Sequence, residues 1–203
     1  MKRRMVLALT PLLLGVGGCG YNQIQQKDEQ AAQAKQQISV QLQRRADLVP
    51  NLVNTVKGYA QHEEAVFTQV AQARAGLAGA IQTGDPGQMA TANAALNGAL
   101  GRLIAIAEAY PQLKADQSFL RLQDELAGTE NRIATSRNDY NEAVKDYNAY
   151  IRQFPQALTA KVTGAKSRTY YEAAPGSETA PTVDFGTRPG GAASTPAAAP
   201  KRP

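Results

Sequence analysis

The chain has 203 residues, 43% of them apolar, with a formal charge of +5, a single cysteine and no tryptophan. Three of the positive charges, Lys2, Arg3 and Arg4, crowd the start, and without them the balance falls to +2. That leaves no strong electrostatic footprint for nucleic acid, and a lone cysteine excludes an internal disulfide, so stability must come from core burial.

The basic start is followed by an apolar run, Met5 to Val16, and then by Gly17-Gly18-Cys19. A charged n-region, a short apolar core and small residues before a cut site are the marks of a secretory signal. The run is about 12 residues long, whereas a membrane span needs about 20. A cysteine directly after two small residues resembles the lipobox of bacterial lipoproteins, in which that cysteine is acylated and becomes the first mature residue. Val16 stands where such signals usually have leucine. The expected organisation is therefore a signal peptide over residues 1–18, a lipidated Cys19 opening a domain over 19–185, and a tail over 186–203. An uncleaved anchor is the alternative for the N-terminus.

From Tyr21 to Ile81 apolar residues recur at a 3–4 spacing through Ile24, Ala31, Ile38, Leu42, Val49, Leu52, Val56, Tyr59, Val66, Val70, Ala73, Leu77 and Ala80. This is the stripe of a helix packed along its length; Lys35, Arg45 and Glu63 interrupt it. Pro50 lies in its middle. Either Asp47 caps a new helix with Pro50 in its first turn, or one helix bends there. The stripe stays in phase across Pro50, which favours a bent, nearly continuous helix.

Thr83-Gly84-Asp85-Pro86-Gly87 is a break. A second, alanine-rich helix is expected from about Gln88 to Ala109, with Leu96, Leu100, Leu103, Ile104 and Ala107 on its face, ended by Tyr110-Pro111. Asp116 or Ser118 can cap a third, running to about Gln153 with a seam of Phe119, Leu122, Leu126, Ile133, Tyr140, Tyr147 and Phe154, and Pro155 stops it. Ala157 to Val162 offers one or two further turns. The pattern then becomes extended through Tyr170, Tyr171 and Phe185, an arm expected to fold back along the bundle. Beyond Gly186 the composition is Pro, Ala, Gly, Ser and Thr, with almost nothing to bury, and disorder is expected.

Several of these segments resemble the LemA family. One hallmark runs Leu42-Gln43-Arg44-Arg45-Ala46-Asp47-Leu48-Val49-Pro50-Asn51-Leu52-Val53 and continues as Val56-Lys57-Gly58-Tyr59-Ala60-Gln61-His62-Glu63. A second runs Glu130-Asn131-Arg132-Ile133, followed by Asp139-Tyr140-Asn141-Glu142-Ala143-Val144 and Tyr147-Asn148; Phe154-Pro155 and Val183-Asp184-Phe185 also fit. The resemblance implies an all-α antiparallel bundle anchored in a bacterial envelope, and it implies no activity. Many relatives use an N-terminal membrane helix, where this sequence offers a lipobox.

Candidate chemistry is sparse. His62-Glu63-Glu64 is the only histidine cluster, and a zinc site needs three or four convergent ligands. Asp124-Glu125 has the residue types for acid–base work, but neighbouring acids on a helix point apart into solvent. No Ser, His and Asp set sits on a strand-turn-helix elbow, and Gly76, Gly79, Gly84 and Gly87 form no phosphate loop. The reading is no enzyme, no metal and no cofactor. Arg44, Arg45, Asp47, Pro50 and Asn51 face a partner segment of Glu130, Asn131 and Arg132 as a charged layer. It serves either for docking or as a buried ion pair that fixes helix register, with Arg45 and Glu130 the expected pair.

The expected fold is all-α, an elongated antiparallel bundle of three or four long helices with an extended C-terminal arm. The expected function is a lipid-anchored scaffold or adaptor with its domain facing the periplasm. Its partners would be the membrane and an unidentified envelope protein, with homo-oligomerisation left open and nucleic acid excluded. The alternative is a regulatory partner of a membrane-bound enzyme such as a protease. Gly20 after the cysteine, by resemblance to lipoprotein sorting rules, argues against inner-membrane retention in a host with two membranes.

Overall fold

A computed structural model describes the backbone of residues 2–172 and the side chains of residues 20–172. The signal peptide expected over 1–18, the lipidation expected at Cys19, the part of the expected arm from Ala173 to Phe185 and the tail expected over 186–203 lie outside the described side chains. Within the described residues six helices and no strand are present: α1 Lys2–Lys57, α2 Glu64–Thr83, α3 Pro86–Ile106, α4 Pro111–Lys114, α5 Gln117–Tyr150 and α6 Gln156–Thr163.

Four of these, α1, α2, α3 and α5, form an antiparallel up-down-up-down bundle. Direction is read from the cross-links. Along α1 and α5, Ile24 clusters with Tyr147 and Ile151, Arg45 meets Glu130, and the Tyr59 hydroxyl reaches Asp116, so the two helices run antiparallel from end to end. Between α1 and α2, Lys35 bonds the Gly84 carbonyl while Arg74 bonds that of Ala46. The α2–α3 turn uses Gly84 at φ 67°, a left-handed conformation that suits glycine. Asp85 follows as the α3 N-cap, accepting from the Gln88 amide at 2.7 Å. Asp116, one of the two expected caps, accepts from the Phe119 amide at the start of α5.

The helix expected from Tyr21 to Ile81 is two helices. It runs unbroken through Pro50, as the in-phase stripe indicated, but stops at Lys57. Residues 58–63 make the connection, and α2 returns antiparallel. Apolar periodicity does not register a reversal of direction, because both helices turn their stripes to one core. Gly58 directly after Lys57 was the stop signal available. His62 lies in this connection and is exposed. Of the stripe, Tyr59 is 39% exposed, and Phe67, not Val66, fills the core.

At 1.5 Å per residue, α2 and α3 are about 30 Å long and α5 about 50 Å. The helical hairpin α2–α3 therefore covers only part of the α1–α5 seam. The uncovered end is closed by α6, whose Ala160 packs with Ile24, Tyr147 and Ile151 in a separate cluster, and by an extended strap after Gly164. The main core is continuous through Ile38, Leu42, Leu52, Leu77, Leu96, Leu103, Phe119, Ile133 and Tyr140. Phe154, expected on the seam, is 83% exposed, because α5 ends at Tyr150 before the seam reaches it.

Candidate functional site: a buried polar layer and a clamped strap

Arg45 occupies the heptad position of Ile24, Ala31, Ile38 and Leu52, so helical geometry aims it into the core. It is 6% exposed. Its Nη1 donates to the Glu130 carboxylate of α5 and, at 3.2 Å, to Asn93 Oδ1 of α3. Asn93 is itself buried on the α3 face otherwise built from Met89, Leu96 and Leu100. One guanidinium thus ties three helices at one height. The pair is asymmetric: Glu130 keeps a good part of its side chain in water, whereas burial pushes Arg45 down to about 10. The Arg45 Nε is buried without a described protein partner, which adds to its cost.

One turn further along α1, Pro50 removes the amide that would bond the Ala46 carbonyl. Ala46 is 1% exposed, so water cannot replace that donor. Arg74 of α2 does: its Nε donates to the Ala46 carbonyl at 2.8 Å. The proline that should weaken the helix is thereby tied to the neighbouring one. Beside it, Lys57 places its ammonium 5.2 Å from the centre of the Phe67 ring.

The strap over residues 165–172 is held by side-chain amides acting as backbone surrogates. Asn148 donates to the Arg168 carbonyl at 2.9 Å and accepts from the Arg168 amide at 2.8 Å. Asn141 repeats this on Tyr171, at 3.0 and 2.8 Å. The spacing follows from two rises: seven residues of helix climb about 10.5 Å and three extended residues about 10 Å. Tyr140 adds a bond from its hydroxyl to the Thr169 carbonyl. The Arg168 side chain turns to α1 and grips Asp28 through two parallel bonds of 2.7 and 2.9 Å. Hydrogen bonding from Arg168 holds the Asp28 carboxyl below its ordinary value, and the carboxylate in turn raises Arg168. Tyr171 is 3% exposed beneath the Arg137 guanidinium, while Tyr170, expected to bury, is 42% exposed.

Of the expected charged layer, Arg45 and Glu130 are brought together. Arg44, Asp47, Asn51, Asn131 and Arg132 are exposed, and Pro50 is half-buried. Asp47 bonds Gln43 on its own helix. Leu42, Arg45, Ala46 and Val49 form the inward side of α1, and at about 100° per residue Arg44 and Asp47 fall on the opposite side. Asn93, Arg74, Asp28, Arg168, Asn141 and Asn148 were not singled out as site residues. The two Tyr-Asn pairs seven residues apart were the readable signal for the clamps. Among the described residues no group of His, Cys, Asp and Glu is arranged to hold a metal ion, and no helix is long and apolar enough to cross a membrane.

Comparison with known proteins agrees with this framework. The chain is similar to two Paramagnetospirillum magneticum (strain AMB-1) proteins, Magnetosome protein MamQ 1 and Magnetosome protein MamQ 2. Each is 30% identical over 182 residues, covering 78% of this chain and 67% of the relative. Magnetosome protein MamQ of Magnetospirillum gryphiswaldense is 28% identical over 198 residues, covering 86% of this chain and 71% of its own. The LemA family model matches residues 34–185, which include the Arg45–Glu130 layer, Pro50 with Arg74, and both asparagine clamps. The chain belongs to the LemA family.

Proposed function

We propose that this protein is a non-enzymatic scaffold or adaptor, held on an envelope membrane by a lipid on Cys19 with its bundle facing the periplasm. The carrying observation is how the polar residues of the two hallmark segments divide. Arg45 and Glu130 are spent on each other and on Asn93, and Asn141 and Asn148 on the strap. The remainder, Arg44, Asp47 and Asn51 on α1 and Asn131 and Arg132 on α5, are exposed within two turns of that pair. The buried pair fixes the register that displays this outer set. A display of fixed charges suits docking to a protein partner. Family membership and the magnetosome relatives support association with a membrane. Lipoprotein modification would supply firm attachment, since one acyl chain binds weakly and several hold.

Crosslinking in cells followed by mass spectrometry tests the reading. The expected result is one envelope protein joined through the Arg44–Asn51 and Asn131–Arg132 surface, lost in Arg44→Glu/Arg132→Glu with the bundle intact. Crosslinks that avoid this surface would overturn the docking role; a membrane enzyme as the captured partner would make the protein its regulator. Intact mass of the membrane-extracted protein tests the anchor: a diacylated or triacylated Cys19 at the N-terminus is expected, and an unmodified Met1 or Lys2 would refute it.

A further inference from the structure

The three most exposed large apolar side chains among the described residues fall in one short segment: Phe154 at 83%, Leu158 at 60% and Val162 at 88%. Leu158 and Val162 stand four residues apart on α6, on the side opposite Ala160, which packs inward. Phe154 comes just ahead of the helix. Val40 and Leu120, less exposed, lie on α1 and α5 about 30 and 45 Å from this end at 1.5 Å per residue. The segment is also basic. From Ile151 to Tyr171 there are Arg152, Lys161, Lys166 and Arg168, and no Asp or Glu. Arg168 is taken by Asp28, and the nearby Asp146 meets Lys27. Arg152, Lys161 and Lys166 are exposed and form no ion pair among the described residues. A third observation fixes where this surface sits. Gly20 is buried against α6, where a Cβ would meet Gln156 Cγ at 3.5 Å and Thr159 Oγ1 at 3.6 Å. Cys19 directly precedes it in sequence. One helix diameter, about 10 Å, separates Gly20 from the exposed face of α6.

We propose that this face of α6 is a lipid-contact surface: Phe154, Leu158 and Val162 enter the boundary between headgroups and acyl chains, and Arg152, Lys161 and Lys166 meet anionic headgroups. The inference rests on the membrane attachment proposed above and adds a defined side of the bundle that faces the lipid. The chemistry suits a bilayer better than a protein. Lys161 shares the face of Leu158 and Val162, where its stem runs along apolar surface and its ammonium reaches the headgroup layer. Protein interfaces exclude lysine from their apolar centres. An interfacial helix combines these features, apolar side chains dipping about 5–10 Å into the boundary with cations beside them. Eight residues hold a membrane weakly alone, but beside an anchor the contact becomes intramolecular and its effective concentration is high.

The test is site-specific photocrosslinking of the full chain, extracted from membranes and reconstituted into vesicles of phosphatidylcholine and phosphatidylglycerol. Benzoylphenylalanine replaces Leu158 or Val162, with Val40 and Leu120 as controls. All four positions are exposed, so the bundle should hold, and circular dichroism verifies it. Mass spectrometry should find lipid adducts at 158 and 162 at least about tenfold above those at 40 and 120. Lys161→Glu/Lys166→Glu should lower the yield at 158 at least about fivefold, the factor that a single basic side chain contributes near an anionic surface. Protein that stays on the vesicles with α6 adducts no higher than the controls would overturn the lipid contact and leave the anchor standing. Protein that does not stay on the vesicles would overturn both. A yield indifferent to the two lysines would overturn the proposal, as would adducts to a second copy of the chain in place of lipid.

Discussion

Pro50 and Arg74 make the sharpest quantitative test, because the structure links a missing amide in one helix to a guanidinium in another. Arg74→Met keeps an apolar stem but removes the donor to the Ala46 carbonyl, which is 1% exposed and has lost its helical partner. Leaving a buried acceptor unpaired costs about 1–3 kcal/mol, and a charged donor places this case at about 2 kcal/mol. Pro50→Ala restores the residue-50 amide, which can bond Ala46 directly. In that background Arg74→Met should cost no more than about 0.5 kcal/mol, the size of an ordinary surface change. The expected coupling is therefore about 1.5 kcal/mol. Pro50→Ala should also stabilise more in the Arg74→Met protein than in the parent. Urea denaturation followed by circular dichroism, on the four proteins of the cycle, measures it. Additivity within about 0.5 kcal/mol would mean that Arg74 is not answering the proline, and the reasoning would fail.

Glu130→Ala should cost more than Arg45→Met, about 3 against about 1 kcal/mol, because the first strands a buried cation and the second leaves a carboxylate that reaches water; chemical denaturation ranks them, and a reversed order would refute the asymmetry. Asp28 has a folded-state value below its ordinary 3.8, so its contribution is present above that value and lost as pH falls through the lower folded one. Strap amides should accordingly lose exchange protection in that acid range, and Asp28→Asn should show the same loss at neutral pH. Ending the chain at Gly164 removes the Tyr171 anchor, worth about 1.5–3 kcal/mol by burial alone, and should lower the melting temperature by several degrees. Ending it at Gly186 should leave the temperature unchanged; an equal fall would mean that the tail packs.

Much of this molecule was legible locally. Helix after helix, the stripe of Ile24, Ile38, Leu52 and Leu77, or of Phe119, Leu126, Ile133 and Tyr140, names the buried face, because burial and the 3.6-residue period are properties of short windows. Asp85 and Asp116 announce helix starts for the same local reason, a side-chain oxygen within reach of an amide three residues on. The ordered motifs indicated the family. Even Arg45 could be paired with Glu130, since a charge on an apolar seam demands an opposite charge from whatever packs against it.

Tertiary structure decided what depends on elements distant in sequence. The stripe through Tyr21–Ile81 is consistent with one helix or two; Gly58 offers a place to stop, and the packing of α2 against α1 makes that stop a reversal. Arg74 is an unremarked cation in an alanine-rich helix until the bundle places it against the carbonyl that Pro50 leaves free. Asn141 and Asn148 become clamps only because an extended chain happens to advance in three residues what a helix climbs in seven. Phe154 and Tyr170 are apolar by composition and exposed in fact, because the seam ends before one and the strap alternates the other outward. Hydrophobic pattern is a one-dimensional code for facing inward, whereas the partner each polar group finds is fixed by which helices meet at its height, and that geometry exists only once the bundle has closed.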